Sequence, residues 1–222
     1  MSQIELFANQ RASGYNEFVE TWIPNYHYFM DTLPRLLQDT GLKKILVVGC
    51  GTGAEIERFV HAKEAWEITG VDPSPEMIAQ ASEKLKEFEN VTLMEGVVDS
   101  LDKSQKFGCA TLLLVLHFME DDGTKLNMLK SIAERLEENA PFVLLDITGD
   151  KKQLKQNLNI LKNLLPEDLA EEDIDKRLHR IENELHAVSE ERLKEILQEA
   201  GFAEPLRFFQ NSIYMGWMTR KI

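Results

Sequence analysis

Short apolar runs alternate with amphipathic stretches along most of the chain. The runs predict strands near 44–48, 66–71, 91–95, 109–115 and 141–147. Between them, apolar residues recur at helical spacing near 54–63, 75–88 and 122–137. Strand and helix in regular alternation predict a parallel, doubly wound α/β sheet. A long charged helical stretch follows at 151–187. Ser189, the acids after it and Gly201 then supply a cap, a capping-box-like acid and a stop for a helix over 189–202. Two last apolar segments, 206–210 and 213–219, predict a hairpin turning at Asn211 and Ser212. With 222 residues and 43% apolar composition, one domain spanning 1–222 is expected. It would carry an N-terminal helical lid over about 1–40 and a helical insertion over about 151–187.

The chemistry concentrates where the first predicted strand ends. Ile45 to Val48 run into Gly49, Cys50, Gly51, Thr52 and Gly53, so a nucleotide-like ligand can lie against bare backbone and the N-terminus of the next helix. Asp72 ends the second apolar strand, where its carboxylate can accept both hydroxyl hydrogens of a ribose. The 19 positions from Gly53 to Asp72 hold one helix and one strand. This is an adenosine-type pocket at the carboxyl edge of a parallel sheet. Dinucleotide enzymes and S-adenosylmethionine enzymes both use such a loop, and the glycines do not separate them.

Downstream residues do. The segment 72–81, with Asp72, Pro73, Met77 and Ile78, the strand 91–96 and the run 110–119 resemble class I S-adenosylmethionine-dependent methyltransferases, as does a helix ending in Ala200, Gly201 and Phe202 before a hairpin. The resemblance covers nearly the whole chain. It implies a mostly parallel seven-stranded Rossmann-like sheet with an antiparallel last strand, and S-adenosyl-L-methionine as cofactor. Gly49, Gly51 and Gly53 would then face the methionyl part, Asp72 the ribose, and Met77 or Pro73 the adenine. Val97, Val98 and Leu114 would complete the cofactor wall. Two positions depart from the pattern. Val47 stands where the family often has the acid that orders the glycine loop, and Val97 where many members have an acid, with Asp99 two positions later.

The aromatic segment 12–30 is similar to the lid of such enzymes. Tyr15 and Tyr26 are the candidates for lid contacts with the cofactor, whereas Phe18, Trp22 and Phe29 are expected to pack a helix on the sheet. Ile23, Pro24, Asn25 and Tyr26, the C-terminal run 208–217 and residues 181–183 locally resemble the carboxy-S-adenosylmethionine synthase branch. That branch needs an arginine near the last of these to hold an extra carboxylate. Leu178 occupies the position, with Arg177 and Arg180 expected on different faces, and Leu113 replaces an asparagine of the fourth strand. Ordinary methyl transfer to a small molecule therefore ranks first. A carboxy-S-adenosylmethionine synthase-like enzyme and a noncatalytic S-adenosylmethionine-binding protein are the alternatives. His117, beyond the fourth strand, is the candidate catalytic group. It is either a general base or a hydrogen-bond partner of the cofactor edge or a loop. Asp146, at the end of the fifth strand, either polarises a substrate or caps the following turn, and the cap is the expected reading.

The formal net charge of −13, with no offsetting Lys/Arg cluster, disfavours nucleic acid and is compatible with small neutral or cationic substrates. Cys50 and Cys109 are expected as reduced thiols, and no histidine spacing suggests a metal. No apolar run reaches bilayer length and the first residues lack a signal-peptide pattern, so a cytoplasmic location is expected, without a membrane partner. A homodimer stays open.

Overall fold

The computed structural model describes residues 14–222, and the first 13 residues of the expected lid lie outside the described residues. Two helices come first, α1 (Tyr15–Trp22) and α2 (Tyr26–Leu36). Alternating elements follow: β1 (Lys44–Val48), α3 (Ala54–Val60), β2 (Glu67–Asp72), α4 (Pro75–Leu85), β3 (Val91–Glu95), β4 (Cys109–Leu113), α5 (Thr124–Arg135) and β5 (Pro141–Ile147). The chain closes with α6 (Lys151–Leu164), α7 (Glu171–Asn183), α8 (Glu190–Glu199), β6 (Leu206–Asn211) and β7 (Tyr214–Arg220).

The seven strands order as β3-β2-β1-β4-β5-β7-β6. The first five are parallel, and β7 enters antiparallel between β5 and β6. Strand β1 pairs with β2 on one side and β4 on the other, so the chain reverses its direction of travel across the sheet at the carboxyl end of β1. That is where an open α/β sheet leaves a crevice. Residues of β1 alternate between two cores. Ile45 and Val47 meet Ile56 and Phe59 of α3 together with Leu33 of α2, whereas Leu46 and Val48 pack with Leu129 and Ile132 of α5 and Ile196 of α8.

Three sequence expectations shift. The stretch 151–187 is two helices, broken around Pro166, whose ring cannot continue a helix. The terminal hairpin turns at Ser212 and Ile213, one residue later than expected, because Asn211 still pairs with Tyr214 and Ser212 takes φ 50°. Strand β4 stops at Leu113, since Leu114 has φ 61° and leaves the extended conformation.

Two buried cations brace the α5 side by bonding backbone oxygens. Arg135, fully buried, donates from Nη1 to Ser131 O and from Nη2 to Leu101 O at 2.8 Å and Asp99 O at 3.3 Å. Lys125 donates to Leu116 O, Met119 O and His186 O at 2.5–2.8 Å, and its burial pulls its pKa below the usual lysine value. Arg135→Met should therefore strand several buried carbonyls. A loss of about 2–4 kcal/mol is expected in denaturant unfolding, the range for severed hydrogen bonds to a charged group; an unchanged midpoint would remove the bracing role.

Candidate active site

The glycine loop is built by the crossover between β1 and β2. The N–H groups of Gly49 and Cys50 both donate to Val71 O, and the Gly51 N–H donates to Asp72 Oδ2 at 2.9 Å. The other Asp72 oxygen accepts from Ser74 N–H, also at 2.9 Å, and Ser74 in turn caps α4 by accepting from Met77 N–H. Asp72 thus orders both the loop and the turn into α4, a task the sequence assigned in part to the acid missing at Val47. Each of its oxygens keeps a second lone pair for an incoming hydroxyl. Burial raises its pKa, and the two backbone bonds oppose that rise.

The three glycines do different things. A Cβ on Gly51, whose φ is 51°, would meet only Tyr15 Cε1 at 3.8 Å, so its open side faces the cavity. On Gly49 a Cβ would lie 2.5 Å from Val115 Cγ2, and on Gly53 2.9 Å from Leu85 Cδ1. Gly53 does not line the cavity, contrary to expectation. It precedes α3 with φ 78° and lets that helix close on α4.

One cavity runs along the loop over Asp72, Pro73, Met77, Val97 and Val98 and reaches Leu114. Its wall is apolar on the Met77–Val98 side and hydrogen-bonding at Asp72, which suits a flat base and a ribose. Asp99 does not join it: its carboxylate is bonded by Ser131 Oγ. Tyr15 and Phe118 line this cavity and also a second, adjacent one that includes Phe18, His117, Arg177 and Tyr214. Tyr26 lies deeper, in a small cavity behind the loop. Trp22 and Phe29 are core, and Phe29 meets Phe208 and Phe209 of β6 at 5.9 and 5.1 Å. Phe18, expected to pack only, lines the second cavity.

His117 and Asp146 form a buried pair, Nδ1 to Oδ1 at 2.7 Å. Asp146 Oδ2 accepts from Val115 N–H at 3.1 Å and Leu116 N–H at 2.8 Å. The acid therefore clamps the turn after β4 rather than the one after its own strand. A carboxylate on Nδ1 makes that nitrogen the donor and leaves Nε2 as the acceptor of a neutral ring. Leu114, held at φ 61° by Leu114 N–H to Leu145 O at 2.7 Å, sits at the junction of the two cavities.

Sequence reasoning placed Arg177 and Arg180 on different faces. Three positions apart on α7, they share one face and line the second cavity together. The Arg177 guanidinium lies 4.7 Å over the Phe18 ring, and its Nε is buried without a partner. No carboxylate lines this cavity among the described residues, and Glu184, one turn on from Arg180, pairs with Arg180 Nε at 3.7 Å. Glu55, on α3, was also missed; it is 5% exposed beside the glycine loop. Among the described residues no cluster of histidine, cysteine and acid residues could hold a metal, and no helix is long and apolar enough to cross a membrane.

Comparison with known proteins agrees with this geometry. A methyltransferase domain model matches residues 45–139, which hold the loop, Asp72 and the turn after β4. Carboxy-S-adenosyl-L-methionine synthase 1 of Yersinia pseudotuberculosis is 22% identical over 96% of this chain and 92% of its own length. Among solved structures, magnesium protoporphyrin IX methyltransferase of Synechocystis, with bound S-adenosylhomocysteine, superposes with a TM-score of 0.64 at 17% identity over 95% of both chains. Human N-acetylserotonin methyltransferase gives 0.58 at 19% identity over 94% of this chain, which spans only 59% of that longer one. At these identities the structural likenesses speak for the fold, and the domain match speaks for the loop region. Sheet order, glycine loop and domain match together make residues 45–139 similar to a methyltransferase domain, set in a fold shared with solved methyltransferases.

Proposed function

We propose that the protein transfers the methyl group of S-adenosylmethionine to a small molecule seated between Tyr15, His117 and Arg177. The observation that carries this reading is the pair of adjoining cavities that share Tyr15, Leu114 and Phe118. When bound, the cofactor supplies an electrophilic methyl carbon on a sulfonium. Asp72 would hold its ribose, Met77, Pro73, Val97 and Val98 its base, and Gly51 would leave room for its backbone approach. Tyr15 stands where both ligands would meet it, so α1 can align them and exclude water, the main requirement of an in-line displacement. Tyr26, farther back, would support the loop from beneath.

At the acceptor side, His117 Nε2 takes the proton of an attacking hydroxyl or amine, and Asp146 stabilises the imidazolium that results. The cavity lining favours a neutral or acidic acceptor over a cationic one, because Arg177 and Arg180 line it and, among the described residues, no carboxylate does. Net charge alone pointed the other way. The charge of −13 still opposes a polyanion, which would have to approach the whole acidic surface.

A second reading rests on the same arginine. Arg177 could hold a carboxylate carried on the cofactor itself, as the name of the Yersinia relative suggests for that protein. The mass of the ligand that co-purifies with the protein separates the two: S-adenosylmethionine or its demethylated product supports methyl transfer, and a carboxylated cofactor supports the alternative.

Two outcomes test the site. Asp72→Ala should weaken S-adenosylhomocysteine binding about tenfold or more in calorimetry, and Gly51→Val should abolish it by filling the approach path. Unchanged affinity in either folded variant would move the cofactor elsewhere. His117→Ala should lower S-adenosylhomocysteine release from a small-metabolite pool by about 10²–10⁴-fold while leaving cofactor affinity intact; full turnover in this variant would reduce His117 to a structural residue.

A further inference from the structure

Glu55 is a carboxyl group in a place that penalises it. It is 5% exposed, its Oε1 has no hydrogen-bond partner, and among the described residues no lysine, arginine or histidine pairs with it. The nearest cation on its own helix, Arg58, is engaged by Asp31 at 2.8 Å and by Glu57 at 3.6 Å. The titratable groups in electrostatic contact with Glu55 are Tyr15 of α1, Tyr26 of α2, Cys50 of the loop and Cys109 of β4. All four are pushed up by burial and stay neutral near pH 7, so none supplies a positive charge. Asp72, on the far side of the loop, is a second acid. Burial pushes the Glu55 pKa up to about 7, with the Thr111 hydroxyl opposing the rise.

The sheet register says why an acid sits there. Thr111 of β4 is the cross-strand neighbour of Val47 of β1, so both side chains point to the α3 face in one row. Val47 is the position at which the family pattern has its loop-ordering acid. Glu55 descends from α3 onto the same row and brings a carboxyl beside a valine that has none. The small cavity around it is lined by Gly49, Gly51, Tyr15 and Leu114, the residues that also line the cofactor cavity. With a base against Met77 and Val98 and a ribose at Asp72, the opposite end of the cofactor passes the glycine loop toward Glu55. That end is an amino acid, and its ammonium is the one group there that an unpaired carboxylate attracts.

We propose that Glu55 is the subsite for the α-ammonium group of the cofactor, taking over from α3 the charge that Val47 removes from β1. The proposal rests on the cofactor reading above. A bound cation lowers the pKa of the acid beside it, so binding near pH 7 must expel the proton that Glu55 carries in the free protein. The free protein pays for this arrangement in stability: an acid whose folded pKa lies above its unfolded value destabilises the fold progressively from about pH 4.5 upward, with the full penalty above about pH 7.

The test compares wild type with Glu55→Gln, a neutral variant of the same shape, by calorimetric titration in two buffers of different ionisation enthalpy. The ligands are S-adenosylhomocysteine and 5′-methylthioadenosine, which lacks the amino-acid end. Wild type should release about half a proton per S-adenosylhomocysteine at pH 7, and Glu55→Gln should release none. The variant should bind S-adenosylhomocysteine about tenfold or more weakly while holding methylthioadenosine as wild type does, which also shows that it is folded. Without ligand, the variant should melt above wild type at pH 8, and the gap should close toward pH 5. Equal losses for both ligands, no loss for either, or an unchanged proton count would overturn the Glu55 assignment and leave the cofactor reading standing. A wild type that binds neither ligand would overturn both.

Discussion

Both oxygens of Asp72 are committed to backbone N–H groups, one on the glycine loop and one at the entrance to α4, and the site depends on that clamp. The loop carries three residues at positive φ in five positions, a shape that local preference alone would not hold. The Val71 carbonyl and the Asp72 carboxylate fix it from the neighbouring strand, so its geometry follows from β1–β2 register. A one-residue slip would turn Asp72 to the other face and release the loop. The strand pairing that builds the core is thus the same pairing that positions the wall of the loop cavity.

A second aspartate repeats the device across the point where strand order reverses. Asp146, one residue before the end of β5, clamps the turn after β4, as Asp72 ends β2 and clamps the turn after β1. The clamped turn holds His117 against the same carboxylate, and Lys125 grips Leu116 O and Met119 O from α5. The imidazole is fixed from β5, and the turn that carries it from α5, which leaves its ring atoms at defined positions. Each half of the crevice therefore has its own strand-end acid, one holding the glycine loop and one holding the turn of His117.

The sheet was legible because its cues are local. Apolar runs gave β1 to β5 to within two residues, and Ser189 and Gly201 bracketed α8. The loop and Asp72 were legible because glycine spacing and a strand-end acid sit close in sequence. What stayed hidden depends on contacts across many residues. The His117–Asp146 pair joins positions 29 apart, and no local pattern marks Asp146 as its partner. Arg177 meets Phe18 only because α7 folds back over α1. Asp99 looked available to the cofactor until Ser131, 32 residues on, was seen to hold it. Glu55 is hidden for another reason: at the first turn of a helix an acid has an ordinary explanation in the helix dipole, and only its burial against Thr111 removes that explanation.

Buried charged side chains meet the backbone on the α5 side and line cavities at the crevice. Arg135 and Lys125 are as deeply buried as any side chain, yet carbonyl oxygens receive their N–H donors and each ties together segments that are distant in sequence. Glu55 Oε1 and Arg177 Nε, like Arg135 Nε, are buried without a hydrogen-bond partner, and the first two line different cavities of the crevice. Leaving such groups unmet costs stability with no return inside the free chain. An incoming cation would answer the unmet Glu55 oxygen, and an incoming anion the Arg177 guanidinium, which inside the chain meets the Tyr214 hydroxyl and the Phe18 ring.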